Sequence, residues 1–295
     1  MDEILTDEEV LLKFKNKLRW ADILGSAFLF AFAYLFLYVL YDLATAVTAA
    51  HYNLKPTLFF DYIGFENSTA WYPRCVKITY SISIPVMFIT GIIFYSAYLK
   101  FRTAAIPLRI LFIWLSFLSF TIISQRLIGA FFASEFQFRS LDSLGLELGI
   151  VAAYFYMNAA ARVAMALIGI LLSISIGFLY AKPLLQTATS VYQIDIPQYR
   201  QRFLWHHLIL PPVIGSTMIT LFIFPMNIIP NLMTFITSSI GLLSIWYFAM
   251  RSTQLIRRQN VSKYWLVVGV VMFGVMITLV HTVLKTGLPI PYPGF

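Results

Sequence analysis

The sequence predicts an all-α, polytopic transmembrane helix bundle of about seven spans, N-terminus inside and C-terminus outside, preceded by an amphipathic surface helix. Three observations predict it. Of the 295 residues 60% are hydrophobic and only 12% charged, where a soluble domain carries roughly a quarter charged, and the mean hydropathy is +0.79. The apolar residues fall into runs of about 20, the length that crosses a ~30 Å hydrocarbon core. The 21 lysines and arginines collect in the short segments between those runs, where they act as topology signals. A net charge of +8 would suggest nucleic acid as the partner of a soluble chain. Here its distribution excludes that partner and leaves the lipid bilayer. A single cysteine, Cys75, excludes an internal disulfide framework.

Residues 1–19 place Asp2, Glu3, Asp7, Glu8 and Glu9 ahead of Lys13, Lys15, Lys17 and Arg19, with Leu11, Leu12, Phe14 and Leu18 among them. That mixture predicts an amphipathic juxtamembrane helix, and residues 20–295 then form a single transmembrane domain. The first span, near 20–46, far exceeds the roughly 7–15 apolar residues of a signal peptide. Further spans are expected near 78–99, 106–124, 146–180, 208–224, 232–250 and 264–284. The run 146–180 is too long for one ordinary span and contains no proline. It reads either as one long tilted helix or as a short or re-entrant helix followed by a span starting near Ala161. Pro107, Pro211, Pro225 and Pro230 are expected to mark helix starts and turns.

With the N-terminus inside, fourteen lysines and arginines fall on the inner side, six on the outer side and Arg162 within a span. The inner set includes Lys100, Arg109, Lys182, Arg200, Arg202 and Arg251. An eighth span, the alternative, breaks this alternation after Arg126. Trp71, Tyr72, Trp205, Tyr264 and Trp265 fall at the predicted helix ends, as interfacial aromatics do. The clean charge asymmetry points to a bacterial cytoplasmic membrane.

Ionisable groups inside a membrane are expensive and are functional candidates by default. Here they are Asp42, Arg126, Glu135, Glu147 and Arg162, with Asn158 as a polar neighbour. The competing reading is a structural ion pair or a side chain that reaches to the interface. On a continuous helix Arg162 lies about four turns from Glu147, so its partner would be Asp42 or Glu135. Adjacent His206 and His207 point about 100° apart on a helix and cannot share one metal. His51 and His281 fall on the other side, so no metal centre and no cofactor are expected.

The end of the first span reads Tyr41-Asp42-Leu43-Ala44-Thr45-Ala46, followed by small residues and a turn at His51-Tyr52-Asn53-Leu54-Lys55-Pro56. This segment resembles the HELGHA helix of site-2-protease-like intramembrane zinc metalloproteases. In that alignment Tyr41 takes the place of the first histidine, Asp42 of the glutamate and Thr45 of the second histidine. The family's chemistry needs imidazoles at i and i+4 to hold zinc and a carboxylate to polarise its water. Both imidazoles are missing, so the resemblance implies a degenerate motif without proteolysis by the family mechanism. The family's later zinc-completing aspartate has only a faint echo at Asn227-Ile228-Ile229-Pro230, which no aspartate follows. The lysine and arginine count also puts residues 41–45 on the outer side, opposite to the side on which the family carries its motif.

Three functions follow from different classes. The first, which asks least of the residues, is a non-catalytic scaffold or subunit of a membrane complex: a pseudoprotease with a groove for a lipid or a partner helix, associated with other membrane protein subunits. The second is a transporter or channel with a polar path, which requires Asp42, Glu147, Asn158 and Arg162 to converge on one cavity. The third is a membrane hydrolase with an unfamiliar site, although the sequence has no HExxH and no GxSxG.

Overall fold

The fold is taken from a computed structural model that describes residues 20–60, 62–67, 70–101, 105–131, 147–188, 192–223, 229–252 and 265–291. The surface helix expected over 1–19 lies outside the described residues. Helix α1 is Trp20–His51. Helices α2 (Pro73–Ser81) and α3 (Ser83–Lys100) are separated by Ile82 alone, which keeps helical backbone angles. Helix α4 is Ile106–Gly129, α5 is Glu147–Tyr154 and α6 is Ala159–Leu185. After the short α7 (Tyr192–Asp195), α8 (Pro197–Leu204) runs through a π-helical turn, Trp205–Ile209, into α9 (Leu210–Ile223). Helix α10 is Ile229–Arg251, and α11 (Trp265–Leu279) also ends in a π-helical turn, Val280–Leu284.

Six of these helical runs are long and apolar enough to cross a membrane, and the chain is a multi-pass integral membrane protein. The 23-residue α10 packs against α6. Side-chain contacts give the directions. Trp114 donates to Ser26 Oγ and Arg126 lies over Tyr41, so α1 and α4 run parallel. Ser116 bonds the carbonyl of Gly91 while Arg109 and Tyr98 meet at Gln186, so α3 runs against α4. The same reasoning sets α6 and α10 against α4, and α9 and α11 along α1. Lys100, Arg109, Lys182, Arg200 and Arg251 therefore share one end of the bundle.

The helices approach closely because glycine and serine line their contacts, as expected where lipid removes the hydrophobic drive for helix association. A Cβ on Gly177 of α6 would lie 2.5 Å from the backbone of Ser244 on α10. One on Gly269 of α11 would lie 2.9 Å from the Gly25 carbonyl of α1.

The ends of the helices explain where the expected spans needed correction. Helix α1 runs five residues past the expected 46 and stops where Asn53 takes φ +59. The amides of Leu54 and Asn53 then bond the carbonyls of Ala49 and Ala50, at 3.1 and 2.9 Å. This is a Schellman ending with Leu54 packed on Ala49, and Pro56 follows it. The run 146–180 follows the second of its two readings, a short helix and then a span. Its break is also a Schellman ending, with Tyr156 at φ +50 and bonds from Met157 and Tyr156 to Ala152 and Ala153. Glycine is the usual residue there because an L side chain is strained at positive φ.

Asn158, expected as an intramembrane polar group, is instead the N-cap of α6: its Oδ1 accepts from the Ala161 amide at 2.8 Å. Asn158→Ala is expected to cost about 1 kcal/mol, read as a lower midpoint of thermal unfolding with the same ultraviolet circular dichroism.

Pro107 opens a helix as expected, but Pro211 and Pro212 do not. They lie inside the continuous helical run 197–223 and lack the amides that would bond the carbonyls of His207 and Leu208, so the preceding turn widens to the π form. The fifth span thus starts eleven residues before the expected 208, and Trp205 lies within it rather than at its end. Arg109, assigned above to an inner loop, is buried in the first turns of α4.

The bundle is not wholly α-helical. Three short strands, β1 (Pro56–Leu58), β2 (Ile63–Phe65) and β3 (Leu288–Pro289), form an antiparallel sheet in the order β2-β1-β3. Leu58 pairs with Ile63 on one side and Leu288 on the other. Gly287 enters β3 at φ +86, and a Cβ there would also lie 2.6 Å from the Phe59 ring.

Candidate functional site

Among the predicted residues, Tyr41, Asp42, Arg126 and Glu147 come together, about 15 Å along α1 from its His51 end at 1.5 Å per residue. Residues 34, 38 and 41 of α1 are tyrosines with 4-3 spacing, which puts them on one buried stripe. Parallel packing brings Arg126, near the end of α4, over the Tyr41 ring with its Cζ 4.3 Å from the centroid. Helix α5 enters the same layer from the side, and Glu147 in its first turn presents a carboxylate where the helix dipole favours one.

The geometry is that of a closed polar knot. Arg126 Nη1 lies 2.5 Å from Glu147 Oε2, and the Tyr41 hydroxyl donates to that same oxygen at 3.1 Å. Both charged side chains are almost wholly buried, Arg126 at 3% and Glu147 at 7% exposure. Nε and Nη1 of Arg126 make no hydrogen bond of good geometry, so the contact to Glu147 is ionic in character. Asp42, 6% exposed, lies within electrostatic reach of Arg126, Tyr34, Tyr38 and Tyr41. A second strand of the network joins Tyr34 to Thr234 and Thr234 to Gln125 Oε1, the latter at 2.7 Å.

Other predicted residues lie elsewhere. Thr45 turns back to its own helix and donates to the Tyr41 carbonyl at 3.3 Å. Arg162 sits half-buried on the first turns of α6, a helix separate from Glu147, and its Nε has no hydrogen-bond partner. Of its expected partners, Asp42 is in the Arg126 knot and Glu135 lies outside the described residues. Asn158 is an exposed cap. A surface cavity of about 240 Å³ beside the sheet, lined by Asn53, Lys55, Glu66 and Pro289 among others, contains none of the predicted residues.

Sequence reasoning missed Tyr34, Tyr38, Gln125 and Thr234, although the tyrosine spacing on α1 is a readable signal. It also missed a second buried arginine at the opposite end. There Arg109, 1% exposed, donates to the Gln186 carbonyl at the end of α6, and Tyr98 donates to the Gln186 side chain. Between the two arginines α4 is packed with Phe117, Leu118, Ile122 and Ile123. The Ser119 and Thr121 hydroxyls in that stretch return to carbonyls of their own helix.

The zinc site implied by the resemblance can be tested on these residues. The Tyr41 hydroxyl is engaged by Glu147, the Thr45 hydroxyl by a backbone carbonyl, and a guanidinium lies against Tyr41. Neither oxygen replaces a neutral imidazole, and a fixed positive charge beside them repels a second cation. The residues present do not fit zinc. Among the described residues no three histidine, cysteine, aspartate or glutamate side chains gather in a group that could hold a metal. His51 lies against Tyr52, whereas His281 bonds the carbonyl of Phe222.

Comparison with protein-family models, with curated proteins and with solved structures finds no match to the chain.

Proposed function

We propose that the chain is a non-catalytic integral membrane protein, a scaffold or subunit of a membrane complex, built around a degenerate metalloprotease-like centre. The observation that carries this reading is the Tyr41–Arg126–Glu147 knot. Where the resembling enzymes would hold a metal ion, this chain holds an arginine side chain that cannot exchange or activate water. The local pairing of Arg126 with Glu147 and the separate places of Asn158 and Arg162 favour a scaffold over a polar conduit. The lysine and arginine asymmetry favours a bacterial cytoplasmic membrane, and the exposed apolar helix faces are where lipid or a partner helix would pack.

The test is made on the full chain in nanodiscs. Elemental analysis is expected to find zinc far below one per chain, and incubation with a panel of transmembrane peptides is expected to yield no cleavage products. Stoichiometric zinc that is lost in Asp42→Ala, or cleavage that is lost in Asp42→Asn, would overturn the reading. Photo-crosslinkers at the lipid-facing positions Ile89 and Leu171, both more than half exposed, are expected to capture a second polypeptide in cells. Adducts with lipid alone would remove the subunit role.

A further inference from the structure

We propose that the cavity beside the three-stranded sheet binds a small zwitterion, a molecule carrying a primary ammonium and an anionic oxygen group, with Lys55 on the anionic end and Glu66 on the ammonium. This goes beyond the scaffold reading and does not rest on it.

The walls of the cavity are preformed. It encloses about 240 Å³ between the end of α1, the start of β1 and the segment that follows α11. Pro56, Pro289 and Pro291 are among its lining residues, and the ring of each fixes its φ. The Ile290 amide donates to the Pro56 carbonyl at 3.0 Å, which pins the last wall to the first. A site whose walls need no ordering keeps more of its binding energy. Its volume falls below the roughly 300–1,000 Å³ of sites for drug-sized ligands, so the occupant is a small molecule or a head group.

Opposite charges line this cavity without meeting. Pro56 pairs with Phe65 in the sheet, and one step further along the Glu66 amide donates to the Lys55 carbonyl at 3.4 Å. Cross-strand neighbours of opposite charge attract each other. Yet among the described residues neither side chain makes an ion pair or a hydrogen bond, although both line the cavity. The Asn53 side-chain amide lines it too and is equally unengaged. The backbone is strained at the same place. Lys55 holds φ +46 directly before Pro56, where a residue is driven towards extended backbone and an L side chain is strained at positive φ. Outliers of this kind gather at binding sites. A lone anion would be drawn to Lys55 and repelled by Glu66, and a lone cation the reverse. One molecule with both charges satisfies both, and the Asn53 amide can donate to its anionic end or accept from its ammonium. A free amino acid and the phosphoethanolamine head group of a lipid share this chemistry.

Isothermal titration calorimetry tests this on the full chain in nanodiscs of phosphatidylglycerol, with L-alanine, L-serine and O-phosphoethanolamine as probes and ethylamine and inorganic phosphate as single-charge controls. At least one zwitterion is expected to bind about tenfold more tightly than either control. Lys55 and Glu66 are exposed, so Lys55→Gln and Glu66→Gln are expected to keep the wild-type unfolding midpoint. Each is expected to weaken zwitterion binding about tenfold or more, the effect of losing one charge-assisted hydrogen bond. Native mass spectrometry of the solubilised chain with equal phosphatidylethanolamine and phosphatidylglycerol separates the sources. Selective retention of phosphatidylethanolamine that is lost in Lys55→Gln identifies a lipid head group, whereas calorimetric binding without such retention identifies a soluble zwitterion. No zwitterion bound in either experiment, controls bound as tightly as the zwitterions, or binding unchanged in both folded variants would overturn the proposal.

Discussion

Arg126→Met is expected to be among the most damaging single substitutions in the protein. It leaves the carboxylate of Glu147 buried without a cation and removes the positive charge that Asp42 also feels. Removing one partner of a buried pair costs about 3–5 kcal/mol, and here two carboxylates lose the same partner. Thermal unfolding in detergent is expected to show a collapsed midpoint, with most of the material aggregated on size exclusion. Arg126→Met combined with Glu147→Met is expected to recover the part of that loss that comes from Glu147, since an apolar pair of similar volume often matches a buried ion pair, while Asp42 still loses the charge. Equal midpoints for Arg126→Met and the wild type would mean that the knot contributes nothing to folding.

Gly177→Val is expected to have the second large effect, through shape rather than charge. At this contact between α6 and α10 an added Cβ meets the Ser244 backbone at 2.5 Å, and backbone cannot rotate away. The Ser244 hydroxyl also donates across the same contact to the Ile174 carbonyl at 2.9 Å. Separating the helices loses that bond together with the packing around it, a cost of about 3 kcal/mol or more by analogy with overpacked cores. Gly274→Val on α11 is the control, because nothing lies within 4 Å of its added Cβ. Both variants are read by unfolding midpoint. A Gly177→Val midpoint no lower than that of Gly274→Val would show that α6 and α10 do not meet at this glycine.

The membrane-spanning bundle is legible in the sequence because length and apolarity alone decide which segments cross a bilayer. Helix endings are less so, since they depend on backbone bonds that leave little trace in composition. Nothing in Phe155-Tyr156-Met157 has the glycine or proline that usually announces a break, so the two readings of 146–180 could not be separated by pattern. Pro211-Pro212 misleads in the opposite sense: a proline pair reads as a start, yet a widened turn carries the helix through it. The polar centre was half legible. Asp42, Arg126 and Glu147 stand out as charges in apolar runs, but their association depends on α1 and α4 running parallel. Arg162, for which Asp42 was one expected partner, instead sits apart on the first turns of α6 while Asp42 lies within electrostatic reach of Arg126.

The small sheet bears on the order in which the molecule can be assembled. Its central strand, β1, follows α1, whereas its last strand, β3, follows α11. Thr57 and Leu58 thus wait for Pro289 and Leu288 until every intervening helix has been inserted. A pairing across so much chain forms late, because long loops must close before it is rewarded. During synthesis the edge of β1 therefore stays open until α11 has been made, and the strand that follows α11 closes it. Strands that follow α1 and α11 become neighbours, so the sheet joins helices far apart in the described chain.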